Sequence, residues 1–198
     1  MTFYTDFDLS KKIESNTIGF SDSVYLGLSE ELFDFFLAKN YKYLPILTRP
    51  KIELNSLRNI LRYLKHNTFV NFQFYLYKLG FKLSHKMVKA FFYVDTYNEY
   101  IKEISELNFF ISGRYHSICF ALKTLTPFMA IKSNSHKIES TLQDIGIKEN
   151  RIIDKDDLNC LQFKKFLQEE VNKISIYVNN APDKIESMFE EIKELTSR

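Results

Sequence analysis

Short apolar segments alternate with helical ones along most of this chain, and that alternation limits its folds more than any other feature. The clearest stretch is LNFFISGRYHSICFAL followed by PFMAI: a buried strand, a glycine-containing turn, the start of a helix, then a second strand opened by Pro127. Strands apolar on both faces and joined through helices belong in a parallel sheet covered on both sides. The expected class is therefore α/β, a Rossmann-like parallel sheet of about five or six strands with helices on both faces.

The remaining elements fit around that centre. TIGFSDSVYL reads as a first strand that breaks into a loop at Ser21, Asp22 and Ser23, with Ser29 placed to cap a helix through LFDFFLAKN. YKYLPILT is a second strand, closed by Pro50. Apolar positions from Asn55 to Leu83 recur at helical spacing and predict two helices divided near Asn67 and Thr68. KAFFYVDT is a short strand, after which Thr96 and Glu99 have the spacing of a capping box and predict a helix through YIKEISEL. A helix from His136 should end at Gly146, RIID is extended, and two helices close the chain. One spans about Leu158 to Val178; the other starts with Pro182 in its first turn and buries Ile185, Met188, Phe189 and Ile192. Residues 1–16 read as a boundary remnant and 17–198 as a single domain.

Composition narrows the function. With 27 basic and 25 acidic side chains the net charge is +2, too even for the basic surface of a nucleic-acid-binding protein. Only Cys119 and Cys160 are present, without metal-ligand spacing, which suits a reducing compartment and gives no reason to expect a metal. No membrane span and no secretory leader are recognisable, so a cytoplasmic location is expected. Walker A, GxSxG, HExxH and GxGxxG motifs are missing.

The residues most able to do chemistry lie where the ISG strand meets its helix. Gly113 lets the backbone approach a ligand closely, and the first N–H groups of the following helix attract an oxyanion. Arg114 adds a planar cationic fork, and His116 a group that can donate to an anion or move a proton near neutrality. With Ser112 these form a candidate acidic-ligand site. The competing reading has Arg114 capping a nearby carbonyl or carboxylate and His116 as an ordinary satisfied histidine. The loop KSNSHK should open on the same sheet edge and offers Ser133, Asn134, Ser135, His136 and Lys137 as further ligand-binding residues. Asp22 and Ser23 would also lie there, chiefly as turn formers. His66 and His85 read as solvated. The pairs Glu169–Glu170 and Glu190–Glu191 read as charged helix faces.

The run ISGRYHSICFALKTLTPFMAIKSNSHKIESTLQDIG resembles the polysaccharide pyruvyl transferases, in which a strand ends in Gly-Arg-x-His, an apolar helix follows, and a Pro-led strand enters a polar loop with a Lys. The resemblance covers Leu107 to Gly146 most closely and reaches Ala90 and Asp154. It implies that Arg114 and His116 hold phosphoenolpyruvate as donor substrate and form the catalytic pair, with Lys137 matching the loop Lys and no other cofactor. The implied fold is one half of a glycosyltransferase B fold, here the C-terminal, donor-binding half. The implied reaction transfers a pyruvyl ketal to a sugar or glycan acceptor in cell-surface polysaccharide biosynthesis. Length is the departure, because an acceptor-binding half is missing from the pattern. A separately encoded N-terminal half or a homo-oligomer would supply it. Two alternatives stand beside this reading: a glycosyltransferase-type nucleotide-sugar-binding domain, and a truncated, non-catalytic binding domain.

Overall fold

A computed structural model describes residues 15–23, 26–46, 96–132 and 136–196, with scattered positions between 61 and 81. Its sheet is five-stranded and wholly parallel: β1 (Ile18–Ser23), β2 (Lys42–Tyr43), β3 (Phe109–Gly113), β4 (Phe128–Ile131) and β5 (Ile152–Ile153), in the order β2-β1-β3-β4-β5. The helices are α1 (Leu26–Leu37), α2 (Tyr97–Ser105), α3 (Tyr115–Lys123), α4 (His136–Ile145), α5 (Lys148–Arg151) and α6 (Gln168–Thr196), with a 3₁₀ turn at Lys155–Cys160. The expected α/β class is what the chain adopts.

Strand alternation sorts the core into two layers. Phe109, Ile111, Met129 and Ile131 face one side, where Leu32, Phe33 and Phe36 of α1 pack with Phe20 and Tyr43. Phe110, Phe128 and Ala130 face the other side and meet α2, α3, α4 and Ile174 of α6. Covered on both sides, β3 and β4 are apolar from Phe109 to Ile111 and from Phe128 to Ile131.

Several local expectations hold. Thr96 and Glu99 form the reciprocal capping box, with Glu99 N–H donating to Thr96 Oγ1 at 3.2 Å and Thr96 N–H donating to Glu99 Oε2 at 3.3 Å. Gly146 follows α4 with φ of 77°, a left-handed conformation suited to glycine after a helix end.

Other expectations need correction. β1 does not break at Ser21; it continues through Ser23 with a bulge, since Phe20 pairs with Ile111 and Ser23 with Gly113. Ser29 lies inside α1 rather than before it, donating from Oγ to Ser23 O at 2.8 Å and accepting from Ser23 N–H at 3.1 Å. The second strand is only Lys42–Tyr43, because Pro45 has no N–H for a ladder. The expected helices between Asn55 and Leu83, and the KAFFYVDT strand, lie largely or wholly outside the described residues. At the C-terminus α6 is one helix that runs through Pro182, and residues before Gln168 are not helical apart from the 3₁₀ turn. Met188, Phe189 and Ile192 are exposed, not buried.

The start of α6 is locked by one ion pair. Arg151 donates from Nε to Glu170 Oε1 at 2.9 Å and from Nη2 to Oε2 at 2.6 Å, and its other donors reach the carbonyls of Lys164, Lys165 and Phe128. The guanidinium also lies over the Phe166 ring, 4.5 Å from its centroid. Glu170, expected on a solvated face, is buried and additionally accepts the Leu167 N–H at 2.8 Å. Burial alone would raise its pKa, but the hydrogen bonds from Arg151 and Leu167, with the charge of Arg151, outweigh that and hold it below the usual carboxylate range. A depressed carboxylate contributes stability that is complete above its unfolded value, about 4.3, and drains away as pH falls through the lower folded value. Acid titration followed by helical ellipticity should show this loss. Glu170→Gln should be less stable at neutral pH and should lack this part of the acid limb.

Candidate functional site

In the strand order β2-β1-β3-β4-β5 the chain moves to one side of β1 for β2 and to the other for β3. The carboxyl ends of β1 and β3 therefore flank a topological switch point, where open parallel sheets place their ligands. β1 ends in Ser21, Asp22 and Ser23; β3 ends in Ser112 and Gly113, followed by Arg114. The two backbones run close here, and a Cβ on Gly113 would lie 3.1 Å from Ser23 Cβ.

Arg114 is the N-cap of α3, in extended conformation with φ −106° and ψ 126°, and no side chain caps the helix. Its own N–H donates to Ser112 Oγ at 3.0 Å, a local turn that sets the strand-to-helix angle. The guanidinium reaches across the switch point to Asp22, with Nε donating to Oδ1 at 2.6 Å and Nη2 to Oδ2 at 3.3 Å. Asp22 is 1% exposed and Arg114 28% exposed by side chain. The carboxylate is thus the buried anchor and the guanidinium the accessible part. A guanidinium has five N–H donors, and this fork uses the Nε and Nη2 edge of Arg114.

The expected partner of Arg114 as a structural cap, a nearby carboxylate, is present. The bulge in β1 explains how. An extra residue between Phe20 and Ser23 locally bends the strand and re-aims a side chain. A buried polar layer supports the pair. Tyr100 Oη shares a hydrogen bond with Ser117 Oγ at 2.8 Å and donates to Leu44 O at 3.1 Å. Burial pushes the Tyr100 phenol up to about 12, and burial followed by the nearby Asp22 charge raises Tyr43 well above its ordinary value. Both phenols are therefore neutral donors at physiological pH.

His116 is exposed in the first turn of α3, its ring in edge contact with Tyr115 at 5.6 Å between centroids. His136 and Lys137 open α4, beyond the carboxyl end of the neighbouring β4 and so on the same sheet edge. His136 is 91% exposed, with Nδ1 3.6 Å from Glu139 Oε2. Ser133, Asn134 and Ser135 lie outside the described residues. Sequence reasoning gave Asp22 chiefly a turn-forming role and did not single out Tyr43 or Tyr100. The available signal was Ser-Asp-Ser, three polar residues inside an otherwise apolar strand.

Cys119 is buried, and burial raises its thiol to about 12, which removes it as a nucleophile. Among the described residues no group of three or more His, Cys, Asp or Glu side chains could hold a metal ion, and no helix is long and apolar enough to cross a membrane.

No curated protein and no solved structure matches the chain. The family described as polysaccharide pyruvyl transferase matches residues 1–135, a span that holds β1 to β4, Asp22, Arg114 and His116. This match agrees with the Gly-Arg-x-His strand end and its Pro-led successor, and the chain belongs to the polysaccharide pyruvyl transferase family.

Proposed function

We propose that the chain binds phosphoenolpyruvate at the β1/β3 switch point and serves in transferring its pyruvyl group, as a ketal, to a sugar of a cell-surface polysaccharide. One observation carries this reading: a guanidinium anchored by a buried carboxylate, beside an uncapped helix start, in a chain of this family. Asp22 offsets much of the charge of Arg114, so recognition rests on the direction of the remaining N–H donors as much as on net attraction. The first-turn amides of α3, which Arg114 precedes as N-cap, would add their attraction for an oxyanion.

The chemistry fits these groups. Two acceptor hydroxyls bond through oxygen to the enol carbon and lose their protons; one ends on the methylene carbon, which becomes methyl, and the other on the phosphate, which leaves with its bridging oxygen as the C–O bond breaks. Arg114 and the α3 amides stabilise the phosphate, and His116 stands where it can deliver or accept a proton. His136 and Lys137 bring further donors to the same edge. In this reading the chain is the donor-binding half of a glycosyltransferase-B-like enzyme in the cytoplasm.

Calorimetry with the purified chain tests the donor. Phosphoenolpyruvate at a hundred times its dissociation constant should stabilise the fold by about 2.7 kcal/mol, or raise Tm by roughly 5 to 10 °C, and phosphate alone should do far less. Stabilisation by a nucleotide-sugar in its place would favour a glycosyltransferase-type domain. No shift with either would leave a non-catalytic domain.

A further inference from the structure

The 29-residue helix α6 carries one apolar stripe from end to end, and only its first half is covered by the domain. Val171, Ile174, Val178 and Ala181 are spaced alternately three and four apart and are half-buried or buried, packing toward α3 and α4. Ile185, Met188 and Ile192 continue the same spacing beyond the domain body, with Met188 48% and Ile192 46% exposed and Phe189 beside them at 54%. A strict alternation of three and four is the 3.5-residue period of a coiled-coil seam, not the broader stripe of a helix lying on a globular core. The seam therefore outruns the surface that it packs on.

We propose that the distal half of α6 pairs with the distal half of α6 from a second copy of this chain, antiparallel, as a short two-stranded coiled coil. Charge decides both partner and direction. Lys184 and Glu191 flank the seam on the same side, one heptad apart, in the position that faces its own kind across an antiparallel pair. With Ile185 opposite the partner's Met188, Lys184 lies beside the partner's Glu191, and by symmetry Glu191 lies beside the partner's Lys184. Ile192 then closes the seam where the partner's helix enters its own domain body, just short of Ala181, which that body already buries. A parallel pair would instead set Lys184 against Phe189, leaving its charge unmatched. The arrangement is isologous, the commonest geometry of homodimers. It is independent of any ligand at Arg114.

Sedimentation equilibrium of the full chain, from low micromolar to hundreds of micromolar, tests this directly. The expected result is a monomer–dimer equilibrium. Met188→Lys with Ile192→Lys, at two already exposed positions, should leave ellipticity and Tm of the monomer unchanged and weaken dimerisation at least roughly a hundredfold, since pairing would bury two charges per chain. Lys184→Glu should weaken it about tenfold, because both flanking pairs become repulsive. Adding Glu191→Lys should restore it. A wild-type chain that stays monomeric overturns the proposal, as does a dimer indifferent to the two lysines or a charge swap that fails to restore pairing. A double-lysine variant whose monomer loses stability also overturns it, because the face would then be covered by the chain's own residues.

Discussion

Arg151→Leu should destabilise the fold by about 3 to 5 kcal/mol, the cost of leaving a buried carboxylate without its cation. The effect should be this large because Arg151 bonds at once to Glu170 and to the carbonyls of Lys164 and Lys165, so the extended stretch before α6 is tied to the sheet through one side chain. For a chain of this size that corresponds to a fall in Tm of roughly 6 to 20 °C, measurable by calorimetry. Arg151→Leu combined with Glu170→Leu should recover a substantial part, since two apolar side chains in place of an ion pair leave no stranded charge. Recovery would be incomplete because the carbonyls of Lys164 and Lys165 still lose their donor. A single variant as stable as the wild type would mean that the pair is a bystander and that α6 is held by its apolar contacts alone.

Arg114→Ala should act on two properties at once, and the pairing with Asp22 dictates how to separate them. Removing the guanidinium leaves the Asp22 carboxylate, 1% exposed, without its bidentate partner, so stability should fall by about 3 kcal/mol before any ligand is considered. Asp22→Asn added to Arg114→Ala removes the stranded charge and should return at least half of that loss. The doubly substituted chain is then the clean protein for titration. Its affinity for phosphoenolpyruvate should be lower than that of the wild type by roughly thirty- to a thousandfold, the cost of a charge-assisted contact on the order of 2 to 4 kcal/mol. Equal affinity in the two proteins would confine Arg114 to a structural role and remove the anion site. Asp22→Asn alone is informative in a third way. It keeps the cation but loosens its aim, so donor affinity should change less than turnover where alignment of the leaving phosphate matters.

The parts of this architecture that sequence makes legible are those whose cause is local. Thr96 and Glu99 cap α2 through atoms three residues apart, Gly146 ends α4 through its own backbone freedom, and Phe109 to Ile111 with Phe128 to Ile131 declare a buried sheet by composition. Ser21, Asp22 and Ser23 mislead because small polar residues ordinarily make turns. They stay in β1 because Arg114, 92 residues away, satisfies the carboxylate, and because Ser29 bonds the backbone of Ser23 from inside α1, where a serine before an apolar run reads as a helix cap. Glu170 misleads in the same manner. Beside Glu169 it reads as solvent-facing, yet Arg151 from another element makes its burial tolerable. Pro182 misleads by rule: proline ordinarily opens a helix, but one lost hydrogen bond does not interrupt a seam that continues on both sides. At the candidate site the Gly-Arg-x-His string stands out through its resemblance to the family, whereas the residue that aims the arginine does not.

The separation of 92 residues between Asp22 and Arg114 also says when during folding the site can appear. Their contact closes a loop of that length, and the entropy of closure must be met before the ion pair returns anything. Neither β1 nor the β3–α3 turn can form a working anion site by itself, whatever its local preferences. In a chain emerging from the ribosome the site would be absent until β3 had joined the sheet. Pairs so distant in sequence belong to the slow, late events of parallel-sheet assembly. Binding of a donor at Arg114 would accordingly report completed topology, and a partly folded chain would be blind to it.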